Sequence, residues 1–166
     1  AVDALDDLNM RGKVQLIVSG GIRTGADAAK ALAMGADAVS VGQGILFALG
    51  CNRDTYQQGG KHYSALDDYA TLGTAPGYCH HCHTGRCPVG ITTQDAVLEQ
   101  RLEPEVGAKH VRNYLKTMNM EVATLARACG KQDVHHLEPE DLVALTIEAS
   151  AIARVPLAGT NWIPGT

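Results

Sequence analysis

The sequence has few aromatic residues: one Phe, one Trp and five Tyr in 166 positions. It also lacks an apolar run approaching the roughly 20 residues that a bilayer-spanning helix needs, so it reads as a soluble chain with no membrane role. No basic block is present, and 14 Lys plus Arg against 18 Asp plus Glu leave a formal net charge of -4, which argues against a nucleic-acid footprint. No charged segment followed by an apolar one precedes the first strand pattern, and the first residue is Ala1 rather than Met. The chain therefore reads as cytoplasmic and as a piece of something longer. Five cysteines cannot all pair, and Cys79, Cys82 and Cys87 crowd together, which in a reducing compartment favours metal over disulfide. Against these absences stands glycine, 18 residues, above the usual share of about 7% and typical of backbones that approach ligands closely in tight turns.

The length alone suits one ordinary domain. Val14–Ser19 is a β-rich run that ends in Gly20-Gly21, as a buried parallel strand entering a turn should. Thr24 to Met34 reads as a helix stopped by Gly35, and Ala38–Val41 as a second buried strand ending in Gly42-Gln43-Gly44. Together they predict one βαβ unit with parallel strands. After a short apolar helix at Ile45–Leu49, residues 52–78 hold four tyrosines without sustained periodicity and read as a long loop or insertion. From Glu103-Pro104, Val111, Tyr114, Leu115, Met118, Val122, Leu125 and Cys129 mark one face of a long helix, with Cys129 as a small core residue. A further helix is expected from Pro139, burying Leu142, Leu145, Ala149 and Ile152. A two-stranded parallel sheet cannot make a domain, so residues 1–50 read as the end of a larger α/β structure, either the last two units of a (β/α)8 barrel or half of an open sheet.

The turns Ser19-Gly20-Gly21-Ile22-Arg23-Thr24-Gly25 and Val41-Gly42-Gln43-Gly44 end consecutive strands. Amides freed in such turns, with the positive end of the following helix, can bind a phosphate dianion, the standard site after strands 7 and 8 of a barrel. These stretches, with Gly35-Ala36-Asp37-Ala38-Val39 between, resemble the barrel end of FMN-dependent enzymes, a group that includes glutamate synthase and lactate oxidase. The resemblance implies that Gly20, Gly21, Gly42 and Gln43 contact the FMN phosphate, with Ile22 and Gly44 beside them; many relatives carry Arg at the position of Gln43.

Cys79-His80-His81-Cys82-His83-Thr84-Gly85-Arg86-Cys87-Pro88 suits a compact inorganic core, and the proline after the last cysteine is a feature of ferredoxin-type clusters. Zinc is the rival, with Cys79, Cys82, Cys87 and either Cys51 or a local histidine as its four ligands. His80, His81, His83 and Arg86 read equally as donors around an anionic cluster or as solvated loop residues. His135-His136 reads as surface or capping chemistry.

Cys82 to Gln94 closely resembles the Cys-His-Thr-X-X-Cys-Pro-X-Gly-X-X-X-Gln signature of glutamate synthases, which binds a [3Fe-4S] cluster after the last barrel strand. The family's first ligand lies six residues before the second in an Ala-Leu-Gly-Cys context. Here Ala48-Leu49-Gly50-Cys51 is parted from Cys82 by the tyrosine-bearing insertion. Either Cys79 replaces Cys51, or all four cysteines are ligands, which suits a [4Fe-4S] cluster better.

The resemblance thus implies strands 7 and 8 of a TIM (β/α)8 barrel in residues 1–50, an insertion and iron–sulfur loop in 51–100, and a helical extension in 101–166. It implies an oxidoreductase in which the cluster passes electrons to FMN, which reduces the imine of 2-oxoglutarate to L-glutamate. The catalytic and substrate-binding residues would lie on earlier strands. The implied partners are the rest of the barrel, a glutaminase or amidotransferase subunit, and an electron donor, either ferredoxin or an NAD(P)H-oxidising subunit, in an oligomer. Two alternatives stand: an N-methylglutamate synthase subunit using methylamine, and a zinc-stapled phosphate-binding barrel segment without redox role.

Overall fold

The structure, a computed structural model, describes residues 1–165. It is mixed α/β and divides into two compact units, residues 1–41 with the chain from Thr117 onward, and Gly42–Lys116. Among the described residues no helix is long and apolar enough to cross a membrane.

In the first unit, helix α1 (Val2–Asp7) leads to strand β1 (Ile17–Ser19), helix α2 (Gly25–Ala33) and strand β2 (Ala38–Ser40). β1 and β2 pair in parallel with Val18 opposite Val39, so the expected βαβ unit is present. Thr24 starts α2 through a capping box with Asp27, and Gly35 follows its end at positive φ. The strands are less buried than the sequence suggests: Ile17 is 62% exposed, and Val18 and Val39 are half-buried. The physical reason is that each of the two strands has only the other to pair with among the described residues.

The core of this unit is carried by helices. Ala28, Ala29, Leu32 and Ala33 of α2 are buried, as are Met118, Val122 and Ala126 of the long helix α5 (Pro104–Ala128), whose later part belongs here. Small residues allow the close approach. A Cβ built on Gly25 would lie 2.4 Å from Glu121 Cβ and 2.6 Å from the Met118 carbonyl oxygen. The buried face of α5 therefore runs through Met118, Val122 and Ala126, while Leu115 and Leu125 are exposed and Cys129, expected in the core, is exposed just beyond the helix end.

The helix expected from Pro139 forms differently. Pro139–Asp141 makes a single 3-10 turn, Ala144 then bridges to Leu157, and Thr146 caps a separate helix α6 (Ile147–Ala153) by accepting from the Ala149 amide. Leu145 and Ile152 are consequently 86% and 85% exposed. Ala144, Ser150 and Val155 are buried here instead, and the Ser150 hydroxyl donates to the Val155 carbonyl at 2.7 Å.

The second unit begins with helix α3 (Gln43–Leu49) and contains an antiparallel hairpin of β3 (Thr55–Gln58) and β4 (Lys61–Ser64), then helix α4 (Leu66–Thr71). This corrects the reading of residues 52–78 as a loop. Gly59 and Gly60 both adopt positive φ, as the two-residue hairpin turn demands. The strands show no alternation because the hairpin is held from its tyrosines: Tyr56 and Tyr63, opposite each other, stack with centroids 5.5 Å apart. The Arg101 guanidinium lies 4.5 Å from the Tyr56 ring centroid and donates to Asp68 of α4 and to the Pro88 carbonyl, both at 2.7 Å. One side chain thus ties together hairpin, helix and cysteine loop.

Two substitutions check this account. Gly25→Ala should lower stability by about 1–3 kcal/mol, read as a lower denaturant midpoint at unchanged slope, because the backbone of α5 leaves no room for a methyl group. Arg101→Leu should cost about 1–3 kcal/mol by removing two charge-assisted hydrogen bonds and a cation–π contact, whereas Arg86→Leu, at an exposed position, should leave the midpoint unchanged.

Candidate functional site

The four cysteines singled out in the sequence, Cys51, Cys79, Cys82 and Cys87, line one small cavity in the second unit, and all are free thiols. Local structure explains how each arrives. Helix α3 stops at Gly50, whose left-handed conformation turns the chain so that the Cys51 amide donates back to Leu46 at 2.9 Å. Asn52, also at positive φ, then reaches across the insertion. Its Oδ1 accepts the Cys79 amide at 2.9 Å, and its Nδ2 donates to the Cys79 carbonyl at 3.4 Å and to Cys51 Sγ at 3.6 Å. A single amide side chain therefore clamps two cysteines that are far apart in sequence.

Cys82 opens a 3-10 turn, Cys82–Thr84, closed by the Thr84 hydroxyl donating to the His81 carbonyl at 2.8 Å. Cys87 follows Gly85 and precedes the fully buried Pro88. Arg101, by holding the Pro88 carbonyl, fixes this end of the loop. Among the described residues, no group of three or more His, Cys, Asp or Glu is arranged to hold a single metal ion.

The electrostatics of the thiols differ. Burial pushes the Cys51 thiol up, and the neighbouring Cys82, Cys87 and Cys79 push it further, so the four groups feel one another. Burial also works against the Cys87 thiolate, but the backbone amides of Thr92, Val89 and Ile91 outweigh it and hold the group below the ordinary thiol value. An anion at Cys87 is thus met by protein dipoles.

Leu46, Val89 and Ile91 make much of the remaining wall apolar, broken by Asn52, His81 and the hydroxyls of Tyr69 and Thr92. Tyr69 is fully buried and its hydroxyl has no hydrogen-bond partner, whereas the Thr92 side chain helps to lower the pKa of the neighbouring Cys87 thiol. Burial and the nearby Cys79, Cys87 and Cys51 push the Tyr69 pKa well above its ordinary value, so it remains protonated. Of the histidines in the motif, His81 lines the cavity, while His80 and His83 are exposed and continue a ring stack with it. Arg86 and Cys129 are not among the lining residues. Sequence reasoning missed Asn52 and Tyr69; no spacing rule marks either, because each acts across a long sequence separation.

The glycine turns are described unit by unit. In the first, Gly20 and Gly21 leave the end of β1 at positive φ, exposed and with open space where a Cβ would stand, and Ile22 is buried behind them. No hydrogen bond among the described residues engages the Gly21 or Ile22 amides. The N-terminus of α2 is different from the sequence expectation: Asp27 accepts from the Arg23 and Thr24 amides, both at 3.1 Å, and Glu121 accepts from Gly25 at 2.6 Å. Two carboxylates already neutralise this helix end, which leaves the turn amides as the groups open to an anion. In the second unit, Gly42 caps α3 without a side-chain bond, Gln43 is exposed and Gly44 is buried.

Comparison with known proteins matches residues 1–56 and 69–132 to the family model described as the conserved region in glutamate synthase. The match breaks off within β3 and resumes at Tyr69, so the Gly-Gly turn, β4 and the start of α4 lie outside it. The chain is 54% identical over 165 residues to a glutamate synthase large subunit-like protein of Rhizobium meliloti, covering 99% of this chain and 35% of that protein. It is 34% identical over 164 residues to an archaeal-type glutamate synthase [NADPH] of Dehalococcoides mccartyi, covering 96% and 28%. It is 37% identical over 138 residues to an archaeal glutamate synthase [NADPH] of Methanocaldococcus jannaschii, covering 82% and 22%. It thus spans about a third or less of the length of these relatives, and no solved structure matches it. With most of its own residues, 1–56 and 69–132, matched to the family's conserved region, the chain belongs to the glutamate synthase family.

Proposed function

We propose that this chain is the cofactor-binding end of a glutamate-synthase-type oxidoreductase, in which electrons passed through an iron–sulfur cluster to FMN become the hydride that reduces the imine of 2-oxoglutarate to L-glutamate. The observation that carries this reading is the convergence of Cys51, Cys79, Cys82 and Cys87 on one cavity. Four soft cysteine sulfurs in a largely apolar wall fit an iron–sulfur core, [3Fe-4S] by resemblance and [4Fe-4S] if all four bind. Single zinc coordination needs donors about 2.3 Å from one centre, and the described residues offer no such group.

In this reading Cys82 and Cys87 anchor the core. The amides around Cys87 stabilise its thiolate, and Asn52 keeps Cys51 and Cys79 within reach of the same core. The parallel pair β1–β2 with α2 as its crossover would be strands 7 and 8 of a TIM (β/α)8 barrel, with the other strands elsewhere in the protein. Gly20, Gly21, Ile22, Gly42, Gln43 and Gly44 would hold the FMN phosphate, and the unengaged amides of Gly21 and Ile22 support that assignment. The substrate-reading residues, a glutaminase or amidotransferase partner and an electron donor belong to the rest of the enzyme, which we place in the cytoplasm. The names of two relatives point to NADPH as the source of electrons.

Iron, acid-labile sulfide and flavin analysis of the complete protein tests the reading. The wild type should carry all three, Cys82→Ala and Cys87→Ala should lose most of the iron, and Cys129→Ala should retain it. Stoichiometric zinc in a colourless protein is the result that sinks it. Incorporation of methylamine in place of ammonia would keep the cofactors and change the product to N-methylglutamate.

A further inference from the structure

Tyr69 presents a contradiction when the protein atoms are considered alone. It is completely buried, its ring packs in a core with Ala65 and Val89 against Cys79 and Cys87, and its hydroxyl has no partner. A phenylalanine would supply the same packing without burying an unsatisfied O–H donor. An acceptor filling the cavity that Tyr69 shares with the four thiols would account for the hydroxyl. Among the described residues none accepts from it.

We propose that the Tyr69 hydroxyl donates a hydrogen bond to a sulfur atom of an iron–sulfur cluster held by these cysteines, and so raises the cluster's reduction potential. The inference rests on the cluster reading given under Proposed function and adds to it a positioning residue that the sequence motif does not contain. A donor aimed at sulfur favours the reduced state, because reduction adds negative charge to the core and strengthens the bond. Tyr69 comes from α4, directly after residues 57–68, which the family model leaves unmatched. The insertion therefore sets where this donor is delivered, and Arg101 fixes it by pairing with Asp68 on the same helix.

The test is Tyr69→Phe in the complete enzyme, with iron and sulfide content, thermal midpoint and cluster midpoint potential measured together. Iron content should match the wild type, and the potential should shift to more negative values. The shift of the iron–sulfur stretching frequencies between H2O and D2O should shrink in resonance Raman spectra. A purely packing role would leave potential and deuterium shift unchanged at full iron content, and that result overturns the inference while leaving the cluster reading intact. An iron-free wild type overturns both. Should Tyr69→Phe fail to assemble, 3-fluorotyrosine incorporated in place of tyrosine gives a stronger O–H donor at the only tyrosine in the cavity. The potential should then rise, and an unchanged potential overturns the inference.

Discussion

The second unit depends on the guanidinium of Arg101. Its side chain is only 12% exposed, and it meets a carboxylate, a carbonyl and an aromatic face together. A buried cation so placed is stable because its donors are spent on Asp68 and Pro88 while its plane rests on Tyr56. The consequence is structural. The hairpin, α4 and the end of the cysteine loop cannot shift independently without leaving a charge unpaired in a low-dielectric environment. That constraint fixes Pro88, and hence Cys87 beside it, relative to Tyr69.

Around that fixed point the cavity combines opposite electrostatic demands. Cys87 sits among backbone amides that favour its thiolate, whereas Cys51 is raised by burial and by its neighbours' charge. Four thiolates in one apolar pocket repel one another unless a cationic core neutralises them. The donor groups facing these cysteines are the amides at Cys87, the Asn52 amide at Cys51 and the orphaned Tyr69 hydroxyl.

In the first unit, close helix packing has a chemical side effect. Gly25 lets α2 approach α5 so nearly that Glu121 caps the α2 amide, and Asp27 takes two more. The helix end is satisfied internally, whereas the backbone of the Gly20-Gly21-Ile22 turn stands open. Packing and site are coupled through one missing side chain.

The βαβ order, the long helix after Pro104 and the four ligand candidates could be read directly from sequence, because each is a short-range pattern: strand runs ending in glycine, apolar spacing with caps, cysteines at metal-ligand intervals. The hairpin was signalled by Gly59-Gly60, but its polar strands hid it, since they are held by a tyrosine stack and Arg101 rather than by alternate burial. The exposure of Cys129, Leu145 and Ile152 was hidden for a related reason: helical phase in sequence does not say which turn restarts at a threonine cap or what lies opposite a face. Only tertiary structure could bring Cys51 beside Cys79 through Asn52, or bury the Tyr69 hydroxyl without an acceptor. Sequence determined which residues are candidates for the chemistry, because chemical type and local spacing are written in the chain. Tertiary packing decided which of them meet and which polar groups are left unsatisfied, because those depend on contacts between residues far apart in sequence.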